Sequence, residues 1–139
     1  MIVLDTNVVS ELMRPQPSPE VLDWFAGQPP QSLYVSSVTV AEVLHGVLLL
    51  PAGKRRNAIL AAARSMFEVE FEARILPFDA QSAYLYAELL VERRRDGRPI
   101  SSFDAQIAAI TAGARAALAT RNVGDFQGCG LKLVNPWDH

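Results

Sequence analysis

Cysteine is nearly absent from this 139-residue chain. The single Cys129 closes no internal disulfide and builds no thiolate zinc site, and a reducing, cytoplasmic setting is the expectation. Histidine is almost as scarce, with only His45 and His139. A two-histidine acid–base nuclease needs its imidazoles on an ordered wall, and a chain terminus is a poor place for one. His45, on an apolar helix, reads as a partly buried packing residue. Long apolar runs are missing too: Val47–Leu50 with its neighbours falls far short of the ~20 residues of a spanning helix. No basic segment precedes Asp5, so the N-terminus does not read as a signal peptide. Neither sign of charge dominates. Thirteen basic and fifteen acidic residues give a net charge of −2, which excludes polyanion binding by bulk charge but not a local basic patch. No GxGxxG follows the first apolar run and no GxSxG occurs anywhere. Gly53-Lys54 lies at the wrong spacing from Gly46 for a phosphate loop, and Arg55 stands where that loop needs serine or threonine.

What remains is an ordinary globular composition, half hydrophobic and 20% charged, of a length suited to one domain over 1–139. Short apolar runs alternate with amphipathic segments. Strands are expected at Ile2–Leu4, Leu33–Val38, Ile75–Phe78 (its proline marking an edge or an end), Ala117–Ala119 and Leu131–Val134. Helices are expected over 6–13, from Ser18-Pro19 to Gly27, from near Thr39 to Pro51, over 54–69, from Asp79 to Gly97 and from Ser101 to Gly113. In the Asp79 helix, Ala80, Ala83, Tyr84, Ala87 and Val91 share an apolar stripe. The alternation predicts an α/β domain with a mostly parallel sheet.

Four carboxylates recur at equivalent places. Asp5 directly follows the first strand, Glu42 lies in the expected first turn after the second, and Asp125 lies a few residues past Ala117–Ala119. These three belong to strand–helix junctions, which meet at one edge of a parallel sheet. Asp104 opens the Ser101 helix and must be brought there by loop 96–100. Each acid also has a plainer reading. Thr39-x-x-Glu42 and Ser101-x-x-Asp104 fit a capping box, Asp5 can cap the helix after it, and Asp125 can hold an Asx turn. The two readings coexist, because a helix N-terminus stabilises the carboxylate it holds. Taken as a set, such acids repel by about 4 kcal/mol per pair at 4 Å and an effective dielectric near 20. Some must protonate unless a cation sits among them. Oxygen donors alone select a hard ion, Mg²⁺ or Mn²⁺, whose open positions suit phosphodiester hydrolysis.

Residues 2–12 (IVLDTNVVSEL), 38–46 (VTVAEVLHG), 100–110 (ISSFDAQIAAI), 117–126 (ALATRNVGDF) and the ending Val134-Asn135-Pro136-Trp137 together resemble the PIN-domain family, most of all its VapC/FitB-type toxins of bacterial type II toxin–antitoxin systems. The motifs run in order through the whole chain. The resemblance implies a three-layer α/β/α fold with a mainly parallel central sheet, metal-dependent endoribonuclease activity, and inhibition by a cognate antitoxin, a separate DNA-binding chain that wraps the toxin. Carried across by motif, Asp5 and Asp104 match the primary metal ligands and Glu42 the third acid. The fourth falls either at Asn122, where some similar toxins have an acid, or at Asp125, in the N-x-x-D-F pattern this chain follows; Asp125 is taken, with Asn122 as its polar neighbour. Thr6, Asn7, Thr120 and Asn122 are expected to orient acids or water or to touch substrate, turn-forming roles being the alternative.

The implied reaction is in-line attack of water at phosphorus, leaving 5′-phosphate and 3′-hydroxyl ends, with Asp5 and Asp104 on Mg²⁺ (or Mn²⁺) and Glu42 and Asp125 completing the shell. With the acids masked by metal, the rest of the chain is slightly positive. Lys54-Arg55-Arg56 and Arg93-Arg94-Arg95 with Arg98 are the candidate phosphate contacts, solvated helix ends being the alternative. Trp24, Phe25 and Val47–Leu50 are candidates for a homodimer face or an antitoxin groove as well as for the core. Two rivals stand beside the nuclease. An aspartyl-phosphate phosphatase needs a second aspartate two places after Asp5, where this chain has Asn7, and a late lysine, where only Lys132 is present. A PIN-like binding scaffold with a decayed site is opposed by the matched acids.

Overall fold

The triplet Ile2-Val3-Leu4 becomes the central strand of a five-stranded sheet in the computed structural model, which describes residues 1–139. The strands are β1 (Ile2–Leu4), β2 (Leu33–Ser36), β3 (Ile75–Leu76), β4 (Ala117–Ala119) and β5 (Leu133–Val134). They lie in the order β3-β2-β1-β4-β5, and every pairing is parallel. Strands buried on both faces need continuous apolar sequence, which IVL and ALA supply.

Alternation along the strands divides the core in two. Leu4, Leu33, Val35 and Ala119 face one layer with Val8, Val9, Trp24, Val43, Ala63 and Phe67, whereas Val3 and Leu118 face the other with Val38, Ile107, Ile110 and Phe126. The helices are α1 (Thr6–Leu12), α2 (Pro19–Ala26), α3 (Ser37–Leu48), α4 (Lys54–Ser65), α5 (Ala80–Arg95), α6 (Ser102–Gly113) and α7 (Val123–Phe126). The result is the three-layer α/β/α arrangement. From β1 the chain crosses to β2 and β3 on one side, while β4 and β5 lie on the other. The reversal falls between β1 and β4, and the carboxyl ends of those strands flank the crevice that open α/β sheets use for their sites.

Several expectations change. The second strand ends at Ser36, not Val38, because Ser36 Oγ accepts the Thr39 peptide N–H at 3.1 Å and caps α3 three residues before the expected cap, Thr39. Thr39 is therefore no cap, and Glu42 sits in the second helical turn rather than the first. The helix predicted over 54–69 stops at Ser65 and continues as a π-turn over Met66–Glu70. The α5 stripe exists but faces outward, with Tyr84 77% exposed. The helix packs instead through Ser82, Leu89 and the buried Arg93. His45 is exposed rather than packed. Of the surplus apolar residues, Trp24 and Val47 are buried and Phe25 packs against the core, whereas Leu48 and Leu49 remain exposed. No helix is long and apolar enough to cross a membrane.

Candidate acidic active site

Asp5 leaves the end of β1 at the switch point. Its peptide N–H donates to the Ala119 carbonyl at 2.9 Å, extending the β1–β4 pairing by one residue. Its carboxylate caps α1, accepting the Thr6 N–H on Oδ1 at 2.9 Å, and accepts the Thr120 hydroxyl on Oδ2 at 2.7 Å. Thr120 follows β4 directly and is fully buried, so two neighbouring strand ends hold the one acid between them. The Asn7 amide lies 3.4 Å from both Asp5 Oδ2 and Thr120 Oγ1.

Glu42 reaches the same crevice from α3. Thr6 Oγ1 donates to Glu42 Oε1 at 2.7 Å and lies 2.9 Å from the buried Thr39 Oγ1, which in turn meets Ser36 Oγ. Thus the residue that opens α1 orients the acid of α3. Asp104 comes from the first turn of α6, whose N-cap Ser101 accepts the Asp104 N–H at 3.2 Å. The capping reading therefore holds for Asp5 and for Ser101, and neither excludes a position in the crevice.

The crevice is a cavity of about 480 Å³ lined by Asp5, Thr6, Asn7, Ser10, Glu11, Arg14, Glu42, Asp104 and Asn122, none of them hydrophobic. Three of the four predicted acids and three of the four predicted polar neighbours line it; Thr120 lies buried beneath. Asp125 does not line it. It is exposed on α7, near enough for its charge to act on Asp104, while Asn122 occupies the wall. The basic clusters do not line it either. Arg93, predicted as a phosphate contact, is buried and donates to the carbonyls of Arg98 (2.7 Å) and Gln127 (2.6 Å) and to Cys129 Sγ (3.2 Å). It ties the α5–α6 loop to the segment after α7 and is not available to RNA. A larger cavity of about 600 Å³ lies at the opposite edge of the sheet, but Arg115 and Lys132 are its only charged side chains and it holds no carboxylate.

Residues that sequence reasoning missed include Ser10, Glu11 and Arg14. Glu11 is buried, accepts the Ser18 N–H at 3.0 Å, and forms an ion pair with Arg14 at 3.2 Å. A signal was present: Asn7, Ser10, Glu11 and Arg14 follow the i, i+3, i+4, i+7 spacing of one helical face, a polar face on a helix whose Val8 and Val9 are core.

Electrostatics single out Asp5. Burial pushes its carboxyl up to about 6, against the hydrogen bonds from Thr120 and Thr6, and the charges of Asp104 and Glu42 push it further the same way. Asp104 is raised by burial and by Asp125, with Ser101 opposing. No three acid, histidine or cysteine side chains converge tightly enough, as they stand, to ligate one ion. The donor chemistry nonetheless fits a hard cation. The donors are oxygens only, and a positive charge among them relieves the burial and repulsion that raise Asp5.

A family described as PIN domain matches residues 2–127. The chain is 38% identical to the VapC ribonuclease Y4jK of Sinorhizobium fredii, over 99% of both chains. It is equally 38% identical to the toxin FitB of Neisseria gonorrhoeae, again over 99% of both. A solved structure of FitAB bound to an IR36 DNA fragment superposes with a TM-score of 0.94 at 37% identity, covering 100% of this chain and 97% of that one. An acid-lined crevice at the switch point of a parallel sheet and a match through nearly the whole chain agree: this protein belongs to the PIN-domain family.

Proposed function

We propose that the chain is a Mg²⁺- or Mn²⁺-dependent endoribonuclease acting as the toxin of a bacterial type II toxin–antitoxin pair. The observation that carries the reading is Asp5. A carboxyl buried at the switch point, raised to about 6 and facing Asp104 and Glu42, stands in a cavity with no apolar wall. Its relatives include a VapC ribonuclease and a toxin, and FitAB has been solved on DNA. The antitoxin is a separate DNA-binding chain. Of the apolar residues considered for a homodimer face, Leu48 and Leu49 are exposed, and the outward stripe of α5 adds Tyr84 and Val91.

Asp5 and Asp104 would hold the ion with Glu42 beside them, and Asp125 would act from outside the cavity through its charge on Asp104. A divalent ion in such a site lowers the pKa of an attacking water and neutralises charge on the phosphate. The chain's own residues prepare for this. Asp5 Oδ1 accepts from Thr6 and Oδ2 from Thr120 and, at 3.4 Å, from the Asn7 amide, which fixes the carboxylate plane and leaves a lone pair free on Oδ1. Thr6 donates its N–H to Asp5 and its hydroxyl to Glu42, so one residue orients the first and third acids. Asn7 accepts the Arg121 N–H at 3.2 Å and locks the loop after β4 over the site.

Cleavage of a short single-stranded RNA, measured with protein freed of host nucleases, tests the reading. Activity is expected with Mg²⁺ or Mn²⁺, is lost in EDTA, and is abolished by Asp5→Asn while folding persists. Calorimetry is expected to show ion binding to the wild type. RNase activity retained by Asp5→Asn, or no ion binding at all, overturns the proposal, the latter in favour of a decayed scaffold.

A further inference from the structure

A second cavity, about 470 Å³, adjoins the acidic one and shares two of its wall residues, Glu11 and Arg14. Its remaining wall includes Arg121, Trp137, Gln16 and Ser18. We propose that it is a nucleotide subsite, in which Arg14 and Arg121 take a backbone phosphate next to the scissile one and a base stacks on the Arg121–Trp137 pair. The proposal rests on the ribonuclease reading and names where the RNA runs once it leaves the acids.

Several observations converge on it. The Arg121 guanidinium lies over the Trp137 ring at 5.0 Å from its centroid, a cation–π stack presented at an exposed position. Unpaired bases are recognised by layering on aromatic rings and on arginine planes, and phosphates by guanidinium groups. Arg121 forms no ion pair; the only one in the molecule is Arg14 with Glu11. Arg14 itself is 66% exposed and stands at the junction of the two cavities. With Arg14 paired to Glu11, Arg121 leaves the second cavity with a net positive charge, which favours a phosphate.

The subsite is also held in register with the chemistry. Arg121 is the residue after Thr120, whose hydroxyl holds Asp5, and its own N–H is held by Asn7. Trp137 is fixed from the other side. Its peptide N–H donates to Asn135 Oδ1 at 2.9 Å, Pro136 before it is buried, and His139 Nε2 lies 2.7 Å from the Glu20 carbonyl. The indole packs against the core beneath α1 and α2, so its position does not depend on a ligand. Little ordering is then required of the protein when a nucleotide docks, which favours affinity.

Trp137 provides its own probe, because the only other tryptophan, Trp24, is buried. A short single-stranded RNA, added in EDTA to prevent cleavage, is expected to quench the emission, and Trp137→Phe is expected to remove the quench. In the presence of metal, Arg121→Gln is expected to raise KM about 10-fold with kcat within about two-fold, the pattern of a lost binding contact. The same change should lower the salt slope of RNA binding by about one. Wild type that cleaves while Arg121→Gln and Trp137→Phe leave KM, salt slope and quench unaltered overturns the subsite and leaves the ribonuclease reading standing. RNA that quenches Trp137 but is never cleaved overturns the ribonuclease reading and supports the subsite. Quenching by an antitoxin-derived peptide and not by RNA overturns the subsite in favour of a protein partner.

Discussion

The two sides of the acidic cavity are built on opposite plans. Asp5 and Glu42 rest on hydroxyls set into the sheet edge: Thr120, Thr39 and Ser36 are each fully buried, and Thr6 joins the two acids into one network. Asp104 and Asp125 come from later elements nearer to water, one half-buried in the first turn of α6 and the other exposed on α7. Solvent stabilises a carboxylate where it can reach it, so the free energy of ionising the set is concentrated on Asp5. The buried side is arranged in advance and is electrostatically expensive. The exposed side is inexpensive and less constrained. On the ribonuclease reading, a cation entering the cavity would gain most from Asp5, whose ionisation burial and its neighbours oppose.

The largest expected effect tests that contrast in stability. Folded Asp5 titrates near 6, whereas an unfolded aspartate titrates near about 3.9. Between those values the folded chain keeps the proton and the unfolded chain releases it. The contribution of Asp5 to stability thus falls as pH rises through this window and levels off above it. Without metal, Asp5→Asn is expected to be more stable than wild type by about 3 kcal/mol at neutral pH, the two converging near pH 4, as measured by urea unfolding in EDTA. Asp104→Asn should gain less, because water already reaches that side chain. Equal gains at the two positions would break the comparison.

Next in size is the loss of the hydroxyl that holds Asp5. Thr120→Val removes the donor to Oδ2 and also the acceptor of the Asn122 N–H at 3.0 Å. Partners that orient ligands typically account for 10–100-fold in metal affinity or activity. A loss of about that size is expected in a manganese titration and in cleavage rate, with Thr120→Ser restoring most of it. Ser101→Ala, on the other side, removes a helix cap and should lower stability by about 1 kcal/mol with a smaller effect on ion affinity. If Ser101→Ala weakens the ion as much as Thr120→Val does, the exposed side is as organised as the buried one.

These two sides were not equally legible in the sequence. Asp5 was, because a carboxylate that ends an apolar triplet sits at a strand end whatever the rest of the fold does. Ser101 with Asp104 was, because capping is a local matter of three residues. Glu42 was found but misplaced by a turn. Ser36 and Thr39 both qualify as caps by composition, and only the end of β2 decides between them. The Thr6–Thr39–Glu42 network could not be read, since Thr6 is more than thirty positions from the other two and meets them only when α1 and α3 pack. Arg93 misled for a related reason. Three consecutive arginines at a helix end look alike in sequence, and only the approach of the segment after α7 buries one of them. Charge runs and apolar stripes tell which residue types are present, but tertiary neighbours decide which way they face, as the outward stripe of α5 shows.

The smallest expected effect concerns Asp125, where the contrast is sharpest. It is exposed, absent from the cavity wall, and linked to the site by its charge on Asp104. A charge acting through water contributes about 1 kcal/mol at 4 Å and less beyond. Asp125→Asn is therefore expected to slow cleavage by no more than about five-fold, the rate equivalent of that energy. The direction of its pH effect follows from the sign of the interaction. Removing a negative neighbour makes Asp104 easier to ionise, so the acid limb of the pH–rate profile should move to lower pH. Because the path between the two groups is solvated, salt should shrink the shift, with screening nearly complete near 1 M where the Debye length is about 3 Å. A ligand would behave otherwise. If Asp125→Asn costs as much as Thr120→Val, and salt leaves the difference intact, then Asp125 reaches the ion and the exposed side closes further than its place on α7 indicates.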